Sequence, residues 1–216
     1  MSRIGRPMGG LRMMRDAQGN AVSGGTPEAV EQFDQGMRAL TIGLSMSDPA
    51  ALLWRLDTLG CDVRGRWGAL LPRWTGLADG RRSVFADMHA AMTELRSGNE
   101  GLAEARLGAM RATADGRGEA AGMYGEVGVP LVEGLMAFHR GAYDDCVARL
   151  LPIRAEVWRI GGSHAQRDIV DWTLTVAALR AGRKAVAQGL VYERLGARPG
   201  SRINKRFAEM GERIAA

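Results

Sequence analysis

Leu95-Arg96-Ser97-Gly98-Asn99-Glu100-Gly101-Leu102-Ala103, Phe138-His139-Arg140-Gly141-Ala142-Tyr143-Asp144-Asp145-Cys146 and Leu179-Arg180-Ala181-Gly182-Arg183-Lys184-Ala185-Val186-Ala187 are three copies of one pattern. In each, an apolar run with helical spacing ends, a glycine stops it, and a second such run begins. The three glycines stand 43 and 41 residues apart. A period near 40 made only of helical patterns predicts stacked antiparallel helix hairpins, an all-α solenoid. No run of alternating strand residues appears, which argues against a Rossmann or barrel enzyme.

Upstream of the repeats, residues 1–25 read as a flexible, glycine-rich arm without apolar period. Thr26-Pro27-Glu28 caps an opening helix carrying Val30, Phe33, Met37 and Leu40 on one stripe. Asp48-Pro49 starts a second helix, with Leu52, Leu53, Leu56 and Leu59 as its stripe and Gly60 as its stop. A third runs through Trp67, Leu70, Leu71 and Trp74, with a break expected at Pro72. Trp54, Trp67 and Trp74 predict a local aromatic core. The expected organisation is therefore an arm (1–25), opening helices (26–80), three hairpin repeats (81–199) and a closing helix (200–216). The glycines between Gly116 and Gly128 read as a mobile loop between hairpins, because no strand precedes them as a nucleotide loop would need.

The chain has 216 residues, enough to bury a core without disulfide or metal staples. Its 29 basic and 24 acidic residues leave a net charge of +5, and every basic residue except Lys184 and Lys205 is arginine. Together with 30 glycines, that bias has the look of GC-rich bacterial coding. Two cysteines, Cys61 and Cys146, exclude a disulfide framework and a four-cysteine zinc site. No apolar stretch reaches the length of a membrane span and none follows the N-terminal arginines as a secretory signal would, so a cytoplasmic location is expected. The basic excess permits nucleic-acid binding, but no binding motif accompanies it, and a solvated arginine-rich surface explains it better.

The repeat junctions resemble tetratricopeptide repeats. Gly134, Gly141, Tyr143 and Cys146 stand where that motif wants a small residue, the turn glycine, an aromatic and a small residue; Gly182, Ala187 and Pro199 match the third copy. The period exceeds the usual repeat of about 34 residues. Five segments resemble, more narrowly, the tetratricopeptide repeat protein 38 family: Leu53-Trp54-Arg55-Leu56, Asp87-Met88-His89-Ala90, Leu150-Leu151-Pro152-Ile153-Arg154, Arg159 to Asp168, and Glu193-Arg194-Leu195. The resemblance covers about residues 48–200 and extends to Asp16–Leu40, and it implies a shortened member lacking the middle repeats. It further implies a helical interaction scaffold and carries over no catalytic activity and no cofactor.

Two sets of residues are candidates for function. By analogy with tetratricopeptide stacks, Phe85, Met88, Met92 and Leu95, then Leu131, Leu135 and Phe138, then Ile169, Trp172 and Val176 line an apolar concave wall. Arg96, His139 and Arg180 form a basic row along it, able to clamp a peptide or to stabilise helix C-termini. An uncovered wall of this kind calls for a protein or peptide partner, or a second copy of the chain. The second set is polar: Asp87 and His89 with Ser163, His164, Gln166, Arg167 and Asp168. Ser163 and Gln166 read as a capping box; the functional alternative gathers the histidines and carboxylates into a metal or acid–base site. Cys146 and Asp144-Asp145 are explained by packing and by the helix dipole. The expected function is a non-catalytic interaction scaffold; the alternative is an enzyme or metal-binding protein built around His89 and His164.

Overall fold

The computed structural model describes residues 14–15, 21–22, 47–74 and 79–215. The chain divides into two compact units, Met1–Pro49 and Ala50–Ala216. In the first, strand β1 (Met14–Arg15) pairs antiparallel with β2 (Ala21–Val22), Met14 opposite Val22. The expected arm therefore contains a small pairing where no element was foreseen; its remaining residues, and the opening helix expected from Thr26, lie outside the described residues.

Everything else described is helix or the turns and short coil between helices. Helix α1 (Ser47–Thr58) begins at the Asp48-Pro49 signal, and Gly60 ends it with φ of +87°. Two short helices follow, α2 (Arg64–Trp67) and α3 (Leu71–Trp74). The expected break is present, but it falls before Pro72, which takes the first turn of α3, where a missing N–H costs nothing.

The three hairpins are α4 (Val84–Arg96) with α5 (Glu100–Ala114), α7 (Val129–His139) with α8 (Tyr143–Ile153), and α9 (His164–Arg180) with α10 (Lys184–Ala197). All three turns are the same hydrogen-bonded device. Gly98, Gly141 and Gly182 have φ of +79°, +78° and +67°. The next residue's N–H reaches back to the carbonyl five positions earlier: Asn99 to Glu94 (2.9 Å), Ala142 to Ala137 (2.9 Å) and Arg183 to Ala178 (3.0 Å). Each glycine N–H binds the carbonyl three earlier, which completes a Schellman stop. The leading helices α4, α7 and α9 follow one another as neighbours, and α11 (Arg202–Ala215) packs on α9 and α10.

Gly134 explains why α7 and α8 lie so close. A Cβ there would stand 2.5 Å from Leu150 Cδ2, so any side chain would force the hairpin apart. Cys146 on α8 is buried, and burial pushes its thiol up to about 12, away from the reactive thiolate.

The expected loop at 116–128 is corrected. Residues 119–139 run as one helical rod: α6 (Glu119–Met123), a π-helical turn (Tyr124–Gly128), then α7. A Cβ on Gly128 would sit 2.9 Å from Val84 Cγ2. That glycine is there for close packing rather than for mobility, and glycine count alone does not separate the two.

Candidate functional site

Helix α1 lies against all three leading helices. Its Trp54 is fully buried, with its ring 5.6 Å from that of Phe138 on α7. Trp54 Nε1 donates to Thr173 Oγ1 on α9 (2.9 Å), and Trp172 Nε1 donates back to Thr58 Oγ1 (2.8 Å). Arg96, at the end of α4, ion-pairs with Asp57 at 2.9 Å and lies over the Trp54 ring. Arg180, at the end of α9, donates to the Thr58 carbonyl at 2.9 Å and to the Tyr143 hydroxyl. Two members of the expected basic row thus grip the C-terminal end of α1, where a cation also favours the helix dipole. His139, the third, is held below its ordinary pKa by burial and by the nearby Arg96 charge.

This arrangement corrects the expectation of an open apolar wall. Met88, Met92, Leu95, Leu131, Leu135 and Ile169 are inaccessible to solvent; Phe138, Trp172 and Val176 are buried, and Phe85 is half-buried. Of the three tryptophans expected to form a local aromatic core, Trp54 and Trp67 join the main core and Trp74 stands apart from it. Trp54 reaches Phe138 and Thr173, whereas Trp74 stacks on His89 with ring centres 6.0 Å apart.

The two halves of the expected polar site have separate partners. Asp87 is fully buried in an ionic knot. Arg106 on α5 binds Asp87 Oδ1 at 2.6 Å and Glu94 Oε1 at 2.5 Å. The Tyr124 hydroxyl donates to Asp87 Oδ2 at 2.7 Å, and the Gly80 N–H donates to Oδ1. Burial opposes the Arg106 charge, but the two carboxylates outweigh it and raise its pKa. Burial, then the hydrogen bond to the Asp87 carboxylate, raises that of Tyr124. His89 is buried between Phe85 and Trp74, with Nδ1 2.8 Å from the Phe85 carbonyl.

The second half lies at the start of α9. The capping box is present: Gln166 N–H donates to Ser163 Oγ (3.3 Å), and Ser163 N–H donates to Gln166 Oε1 (2.9 Å). Asp168 takes Arg194 from α10 (2.9 Å) and Arg55 from α1 (3.2 Å). Burial works against its ionisation, and these two arginines overcome that and hold its pKa below the usual carboxylate value. His164 and Arg167 are near each other, with Nδ1 to Nη2 at 3.5 Å. The two segments do meet, but through apolar packing: the Phe85 ring occupies the space a side chain at Gly162 would need. Among the described residues, no three His, Cys, Asp or Glu side chains are grouped so as to hold a metal.

A cleft of about 660 Å³ opens beside Asp168. It is walled by the start of α9, the end of α10, the start of α11 and the 3₁₀ segment Arg154–Ile160. Arg154 bridges Asp171 (2.6 Å) and Glu193 (2.5 Å) at one wall. Sequence reasoning passed over Arg55, Arg194 and Arg106 as partners, since arginines are everywhere in this chain. Yet Arg55 on α1 and Arg194 on α10 converge on the one carboxylate of Asp168. No family model matches the chain, and no solved structure does. No described helix is long and apolar enough to cross a membrane.

Proposed function

We propose that this chain is a non-catalytic interaction scaffold, a tetratricopeptide-like stack of helix hairpins akin to the tetratricopeptide repeat protein 38 family. Its face of α4, α7 and α9 holds an amphipathic helix. The supporting observation is α1 itself. An indole anchors it against Phe138 and Thr173, and Arg96 and Arg180 grip its Asp57 and Thr58 end. Those are the parts a helix-in-groove recognition site uses, an aromatic anchor plus a polar clamp that sets register. The chain's own helix occupies the site, and a partner helix of like pattern would enter it only where α1 is displaced.

A labelled peptide of residues 47–58, added to the full chain, tests this reading. The wild type leaves the peptide free because α1 is in place. The Trp54→Ala chain, confirmed folded by circular dichroism, takes it up, and a further Arg180→Ala change weakens uptake. A folded Trp54→Ala chain that ignores the peptide would remove the support for this reading.

A further inference from the structure

The cleft beside Asp168 has charge to spare. Five arginines line it (Arg55, Arg154, Arg167, Arg194 and Arg198) against three carboxylates. Each carboxylate is already held: Asp168 by Arg55 and Arg194, Asp171 and Glu193 by Arg154. Arg198 makes no ion pair among the described residues. Arg167 donates to the backbone carbonyls of Gly161 (3.2 Å) and Gly162 and makes no ion pair among the described residues. The Asp168–Arg194 pair ties the first turn of α9 to the last turn of α10, and Arg198 lies one turn beyond Arg194. Arg167 and Arg198, with His164, therefore line one cleft, next to the positive end of the 17-residue helix α9. On the 3₁₀ wall Trp158 is 66% exposed, although large apolar side chains here are otherwise mostly buried. The cleft's volume falls within the range of small-ligand clefts.

We propose that this cleft binds an acidic peptide segment. Its carboxylates pair with Arg167 and Arg198, and an adjoining apolar side chain packs on the open face of Trp158. The arginines of this cleft already select side-chain carboxylates: Arg154 spans two of them from different helices, and Arg55 and Arg194 share a third. Guanidinium forks suit planar carboxylates, and arginine with tryptophan is the usual composition of a binding hot spot. The inference does not depend on the helix-holding reading of the inner face, and different variants test it.

Fluorescence anisotropy of a labelled peptide alternating aspartate and phenylalanine, titrated with the full chain, decides the matter. The acidic peptide binds, and its asparagine counterpart binds at least about tenfold more weakly, because the charge-assisted pairs are lost. Affinity falls as salt rises. Arg198→Glu and Trp158→Ala, both at exposed positions, each weaken binding about tenfold while leaving the circular dichroism spectrum unchanged. Equal binding of the asparagine peptide would overturn the proposal, as would indifference to both variants. Citrate that protects Trp158 from acrylamide quenching, with no peptide bound, would overturn it in favour of a small organic acid.

Discussion

Ser163 is the simplest residue on which to test the local account. Its hydroxyl is the acceptor for the first turn of α9. Ser163→Ala is expected to lower stability by about 1 kcal/mol, and Gln166→Ala by less, read as a shift in urea midpoint at constant slope. Arg106 is the costly residue. Removing it strands the buried carboxylates of Asp87 and Glu94, so Arg106→Ala is expected to lose about 3–5 kcal/mol. Double substitution with Asp87→Asn should recover part of that loss. Asp168 gives a pH signature. Its folded pKa lies below the unfolded value, so its contribution is complete above about pH 4 and fades as pH falls through the folded value. Asp168→Asn should therefore flatten the acid-side fall in stability; an unchanged acid limb, followed by denaturant titration at several pH values, would show that the arginines do not stabilise its charge.

At the scale of elements, α1 shows where sequence reasoning succeeded and where it stopped. Its start, stripe and glycine stop were legible, because caps and periodicity are local signals. So were the three hairpin turns, since a positive-φ stop needs glycine whatever surrounds it. The docking of α1 was not legible. The leading helices showed an apolar face, but nothing local in Leu53-Trp54-Arg55-Leu56 says that its indole crosses to Thr173, 119 positions later. The π-helical turn at Tyr124–Gly128 was missed for the same reason: Gly128 is demanded by Val84 on another helix. Two of the seven polar candidates, Ser163 and Gln166, were read correctly as a capping box, while Asp87 needed Arg106 and Tyr124 in space to be understood. Trp54→Ala is expected to cost about 3–5 kcal/mol, whereas Trp54→Phe, which keeps most of the ring burial, loses much less. Equal losses for the two variants in thermal unfolding would mean that the hydrogen bond to Thr173, not the packing, dominates.

For the whole unit Ala50–Ala216, the central claim is that the inner face of α4, α7 and α9 is closed by the chain's own α1. Amide hydrogen exchange of the full chain, followed by mass spectrometry, tests this most directly, because protection reports opening free energy segment by segment. The account predicts that peptides from residues 50–58 exchange in the slow class, with those of α4, α7 and α9. It predicts further that Trp54→Ala releases them while α9 and α10 stay protected. If residues 50–58 of the wild type exchange as fast as an exposed turn while α4, α7 and α9 remain slow, α1 is not seated on that face, and the account of the inner face fails.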